Sequence, residues 1–149
     1  MSSGKGHIVG ALVFLWLFMH IISNYFFRPG TLQIFIYAVI IILFALWPDV
    51  DINSLGQKLF YTVFFIADCI FVYLQEYKIA AYFGLLIILP VLSKHRGWTH
   101  TRLAAVLMPV PLLLIPLYVQ NEDLLSGLPY YFAGVTGYFS HLFFDRKLI

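Results

Sequence analysis

"FIYAVIIILFALWPDVD", residues 35–51, passes from unbroken hydrocarbon into two aspartates across a single proline. Its apolar part lacks both the alternation of a half-buried strand and the one-sided stripe of a surface helix. A helix that is apolar on every side is buried in a large core or in a bilayer. A chain of 149 residues offers little large core, and the composition decides the matter: 62% hydrophobic and 11% charged, where a soluble domain carries about 25% charged residues. These residues therefore read as a membrane helix whose end carries carboxylates.

Working outward, apolar segments recur at roughly 8–27, 31–47, 59–75, 79–93, 103–119 and 128–144. The breaks between them carry turn chemistry: "RPG" at 28–30, "PDVDINSLGQK" at 48–58, "QEYK" at 75–78, "SKHRGWTH" at 93–100 and "NEDLLSGLP" at 121–129. The expected fold is an all-α polytopic transmembrane helical bundle of about six membrane helices, or five if 79–93, short and interrupted by Pro90, does not cross. Residues 1–149 form a single integral membrane domain. The first segment is long enough for a bilayer core of about 30 Å, and no small-residue cleavage site follows it, so it reads as a retained helix and not a signal peptide. Pro109, Pro111 and Pro116 should kink the fifth segment, which a membrane helix tolerates when neighbours satisfy the freed carbonyls. The single cysteine, Cys69, excludes an internal disulfide framework and reads as a buried structural thiol.

Cytoplasmic loops carry the excess of lysine and arginine. With six spans and the N-terminus inside, Lys5, Lys58, Lys94, Arg96, Arg102, Arg146 and Lys147 fall on the inner side, against Arg28 and Lys78 outside. Both termini are thus expected in the cytoplasm of a cell with the protein in its inner (plasma) membrane. A formal charge of +2 is too small to argue for nucleic acid.

That topology gathers polar groups from four distant places onto the inner face: His7, then Asp49 and Asp51, then His95 and His100, then His141 and Asp145. Imidazole and carboxylate are the natural ligands of zinc and other divalent first-row metals. His141 and Asp145 in "HLFFD" are an i, i+4 pair on one helical face. "PDVD" sets two carboxylates where Pro48 stops a helix, able to ligate one ion or bridge two. Gly97 in "HRGWTH" permits a bend that turns His95 and His100 to a common centre. Each piece has a plainer reading, as an ion pair, a turn aspartate or a basic cluster that enforces topology. Together, in so sparsely charged a chain, they point to a metal site, because ionisable groups at a bilayer are costly to keep.

Asp68, midway through the third segment, carries a cost of roughly 2.5–3.5 kcal/mol on insertion scales. It reads as protonated or hydrogen-bonded to a neighbouring helix, with His20 a candidate partner. Ser23 and Asn24 read as helix–helix contacts.

In order, "GH" at 6–7, "PDVD" at 48–51, "HRGWTHT" at 95–101 and "GYFSHLFFD" at 137–145 resemble the YdjM-like family of inner-membrane metal-dependent hydrolases, whose members also carry a LexA-binding label. The pattern spans His7 to Asp145. That family is regarded as distantly related to the zinc-dependent phospholipase C and single-strand nuclease superfamily. The resemblance implies a phosphoester hydrolase with His7, Asp49, Asp51, His95, His100, His141 and Asp145 as metal ligands and Arg96 as a phosphate contact. The implied cofactor is a divalent metal, zinc first, manganese or magnesium otherwise, as one to three ions. Asp51 is the candidate general base, with Arg96 and Lys94 facing the phosphate charge. A membrane lipid is the expected substrate and partner. The alternatives are a non-enzymatic scaffold or regulator that binds a cytoplasmic protein, and a metal-binding or transport protein.

Overall fold

The computed structural model describes residues 4–50, 55–88, 98–113, 116 and 123–145. Among these the chain is all helical, with no strand. Six α-helices are α1 (Gly4–Tyr25), α2 (Thr31–Leu46), α3 (Leu55–Tyr73), α4 (Tyr77–Ile88), α5 (Arg102–Leu107) and α6 (Leu128–Phe144), with short 3₁₀ turns at Trp47–Asp49, Trp98–His100 and Leu124–Gly127.

The punctuation works as its chemistry dictates. The "RPG" turn separates α1 from α2, and the Gln33 side chain reaches back to accept a hydrogen bond from the Gly30 N–H at 2.9 Å, half of a capping box. Pro48 has no N–H to continue the ladder, so the end of α2 tightens into the 3₁₀ turn that delivers Asp49. Gln75 takes the left-handed conformation, φ 63°. The Gln75 and Glu76 amides then bond back to Val72 and Phe71 at 3.1 and 2.9 Å, a Schellman closure that turns α3 into α4. In the fifth segment the α-helix ends at Leu107, ahead of Pro109 and Pro111, and is interrupted by a turn before resuming at 111–113. The expected kink is there a break.

Two helices, Gly6–Tyr25 and Thr31–Asp49, are long and apolar enough to cross a bilayer among the described residues. The last helix, α6, has 17 residues and lies at the centre, with broad contact to both α2 and α1. Between lipid-facing helices there is little hydrophobic drive, so close packing of small residues does the joining. Gly137 on α6 meets the backbone of α2 so closely that an added Cβ would collide with the carbonyl group of Ile41. At Gly10 of α1 an added Cβ would run into the Phe144 ring of α6.

Two apolar cores fill the bundle. One joins α1, α2 and α6 around Phe18, Tyr37 and Ile41. The other joins α2, α3, α5 and α6 around Trp47, Phe60 and Tyr138. Trp47 is its hub, stacked on Phe44 at 6.1 Å and edge-to-face with Phe60 at 4.9 Å. Such aromatic pairs contribute about 0.5–1.5 kcal/mol each beyond their burial, and here they seat the residues next to Asp49. α3 and α4 pack as a hairpin, so the chain leaves the Asp49 end of the bundle and returns to it at His100.

Three expectations change. Cys69 is exposed on α3, not buried. His20 does not reach Asp68: it is exposed, stacked on Trp16 at 5.6 Å and within 3.2 Å of the Asn24 amide, while the buried Oδ1 of Asp68 has no hydrogen-bond partner. Ser23 and Asn24 are exposed, and Asn24 bonds its own helix at the His20 carbonyl, 2.8 Å away.

Gly137→Ala should destabilise the protein by about 1–3 kcal/mol, the scale of overpacking against a backbone that cannot yield. Gly84→Ala, where a Cβ meets nothing within 4 Å, should leave stability unchanged or raise it by up to about 1 kcal/mol. Thermal unfolding of both variants in detergent checks the contrast.

Candidate metal centre

Four separate pieces of chain deliver five polar side chains to one end of the bundle. His7 comes from the first turns of α1, Asp49 from the 3₁₀ turn after α2, His100 from the turn before α5, and His141 with Asp145 from the end of α6. All three histidines are buried, and Asp49 and Asp145 are only 16% and 7% exposed at their side chains.

Their donor atoms face one another at close range. Asp49 Oδ1 stands 3.3 Å from His100 Nε2 and 3.7 Å from His141 Nε2. Asp145 Oδ2 stands 3.6 Å from His141 Nε2 and 4.0 Å from His100 Nε2. One donor atom from each of these four residues lies within 4.8 Å of every other. Donors about 2.0–2.2 Å from one ion at tetrahedral angles stand about 3.3–3.6 Å apart. The His100–Asp49 pair, at 3.3 Å, is also within reach of a direct hydrogen bond, whereas the separations of 3.6–4.0 Å lie beyond it.

His7 occupies the other side of the same carboxylates. Its Nε2 is 3.7 Å from Asp49 Oδ2 and 3.6 Å from Asp145 Oδ1, and its ring stacks on His141 at 4.0 Å. Each carboxylate therefore turns one oxygen to the His100–His141 pair and the other to His7, an arrangement able to hold one ion or to bridge two.

The decisive support is the wiring of His141. Its Nδ1 donates to the Ala45 carbonyl at 2.9 Å; a carbonyl can only accept, so the proton of the neutral imidazole is on Nδ1. Nε2 is left as a lone pair facing the carboxylates, buried and without a hydrogen-bond partner. Fixing the second ring nitrogen in this way is how proteins orient a histidine for metal. Ala45 is free to accept because α2 ends at Leu46, and a helix's last carbonyls have no amide within it.

The model of the YdjM inner membrane protein family matches residues 1–146. The chain belongs to this family. Membership agrees with the two apolar helices long enough to span a bilayer. No curated protein and no solved structure matches the chain.

Of the residues singled out from sequence, the structure brings together His7, Asp49, His100, His141 and Asp145. Asp51, Lys94, His95 and Arg96 lie outside the described residues. Sequence reading missed the supports: Ala45, through a backbone atom that no motif reveals, and Tyr138, whose hydroxyl donates to the Thr99 carbonyl. The second carried a signal, since Tyr138 precedes His141 by three residues and so shares its helical face.

His141→Ala and Asp49→Ala should each weaken divalent metal binding by more than the about 10–100-fold typical of losing an outer partner. Elemental mass spectrometry of detergent-purified protein checks this, with near-stoichiometric metal expected in the unaltered chain alone.

Proposed function

We propose that this chain is a membrane-embedded, metal-dependent phosphohydrolase that cleaves a phosphoester of a lipid-linked substrate at the cytoplasmic face. The observation that carries the reading is the buried, unprotonated Nε2 of His141 aimed at two carboxylates. His7, Asp49, His100, His141 and Asp145 would hold the ion, zinc by the chemistry of this donor set. Bound there, such an ion would supply a water of lowered pKa, toward about 7, and polarisation of a phosphoryl oxygen.

The chain's own groups supply the rest of the chemistry. Asp49 and Asp145 would hold the ion between the histidines, Asp49 being the more open of the two. Asp51, two residues on from Asp49, accepts the proton of the attacking water. Arg96 offers a planar fork to the phosphate charge that develops, and Lys94 adds a point charge. The distant kinship with zinc-dependent phospholipases belongs to the same proposal.

The site sits at the end of helices that cross a bilayer, so a phosphate at headgroup depth reaches it without leaving the membrane. Six crossings with both termini inside put the cluster on the cytoplasmic side, in keeping with the lysines and arginines of the inner positions. Transport of the ion is the poorer reading. Below the cluster, the described part of the bundle is filled by two apolar cores and offers no ladder of ligands.

Reconstituted protein loaded with zinc or manganese should release phosphate or headgroup from phospholipid vesicles. Asp49→Ala should reduce the rate by at least about 10³-fold, the scale of losing several kcal/mol of charge stabilisation. Stoichiometric metal without any phosphoester hydrolysis across lipid and soluble substrates would overturn the enzymatic reading and leave a metal-binding membrane scaffold.

A further inference from the structure

We infer that Tyr138 is a positioning residue of the metal centre, its hydroxyl latching the 98–100 turn onto α6 so that His100 stands at ligating distance from Asp49. The inference rests on the metal-centre reading above and adds to it a residue that touches neither ion nor substrate.

The turn that bears His100 is three residues long and has little internal structure to hold it. The carbonyl of Trp98 is taken up locally, by the Thr101 hydroxyl at 2.7 Å, while the same hydroxyl accepts the Ala104 amide at 3.1 Å and caps α5. That ties the turn to α5 but leaves its distance from α6 unset. The next carbonyl, of Thr99, is bound instead by the Tyr138 hydroxyl. Both Tyr138 and Thr99 are fully buried, so this bond has no water competing for it and no water to replace it. The Thr99 hydroxyl then stands 3.3 Å from His100 Nδ1, leaving Nε2 of that ring to face Asp49 at 3.3 Å.

Helix geometry makes the latch specific. Tyr138, His141 and Asp145 follow at i, i+3 and i+7, a spacing that keeps all three on one face of α6. The helix that carries two of the ligands thus also grips the chain one residue before a third. The spacing between His100 and His141, whose rings meet edge-on at 5.4 Å, is set by a rigid element and not by the turn itself. A purely packing role would need only the aromatic ring, which sits in the core with Trp47 and Leu142; the hydroxyl would be superfluous.

Tyr138→Phe keeps the ring and removes the latch. Cobalt(II) titration in detergent should show binding about 10–100-fold weaker than in the unaltered protein, the range for losing an outer-shell partner, with a changed visible spectrum as an imidazole leaves the coordination sphere. His100→Ala should do the same, and the double variant should be no worse than His100→Ala alone, because both changes remove one ligand. Metal-free Tyr138→Phe should remain folded, with a lower melting temperature from the Thr99 carbonyl left unpaired. In metal-free protein, carbethoxylation by diethylpyrocarbonate read by mass spectrometry should find His100 protected in the unaltered chain and reactive in Tyr138→Phe. Unchanged cobalt affinity and spectrum, additive losses in the double variant, or a His100 that stays protected would each overturn the latch. An unaltered protein that binds no cobalt would overturn the metal centre itself, and the positioning role with it, whatever the carbethoxylation result.

Discussion

The hydrogen bond from His141 Nδ1 to the Ala45 carbonyl couples the backbone of α2 to the chemistry of α6, and the rest of the site is arranged around it. Pro48 prevents α2 from continuing as a regular helix, so carbonyls near its end need donors from elsewhere. An imidazole can fill that need only from very close range. Gly137, one turn before His141, removes the Cβ that would hold the two backbones apart at Ile41. A missing side chain, a missing amide proton and a committed ring nitrogen together leave one lone pair, Nε2, buried and facing two carboxylates.

The same economy shapes the rest of the candidate centre. His7 is brought to His141 because Gly10 lets α1 lie against the Phe144 ring. Asp49 is delivered by the 3₁₀ turn that Pro48 imposes, and Trp47 beside it is locked by Phe44 and Phe60. Asp145 follows His141 by one helical turn and ends α6 with its amide on the His141 carbonyl, 3.0 Å away. The polar centre is thus placed by apolar packing and helix ends, which suits a protein whose surroundings supply hydrocarbon and not water.

Much of this was legible in the sequence, and unevenly so. The all-helical class followed from apolar runs too long and too uniform for strands, and the breaks at Pro29–Gly30, Pro48 and Gln75 fell where the turns are. Five residues of the candidate metal centre could be named because histidine and aspartate are conspicuous in a chain with 11% charged residues. What the sequence hides is whatever depends on backbone atoms or on empty space. No residue type announces that the Ala45 carbonyl will be an acceptor, or that a Cβ at Gly137 would strike Ile41. The partnership expected between His20 and Asp68 failed for a related reason: shared depth along two helices says nothing about which faces meet. His20 instead found Asn24 and Trp16 on its own helix. Cys69, expected inside, is exposed because in a membrane protein an apolar run does not reveal which side faces the core.

The electrostatics of the end of the bundle favour a cation over a purely internal ion-pair network. Two carboxylates within reach of the same imidazoles repel one another in a poorly hydrated place, and the hydrogen bond from His100 relieves this only in part, at Asp49. The C-terminal ends of both α2 and α6 point at the cluster, each adding partial negative charge from its last carbonyls. Protonating the histidines would supply positive charge, but His141 cannot accept a proton at Nε2 without burying an imidazolium whose nearest carboxylate oxygens stand 3.6 and 3.7 Å away, beyond hydrogen-bonding distance. A divalent ion held among these residues would relieve the remainder. It would balance the two carboxylates and take up the lone pair that the Ala45 bond leaves on His141, among donor atoms of Asp49, His100, His141 and Asp145 that all lie within 4.8 Å of one another.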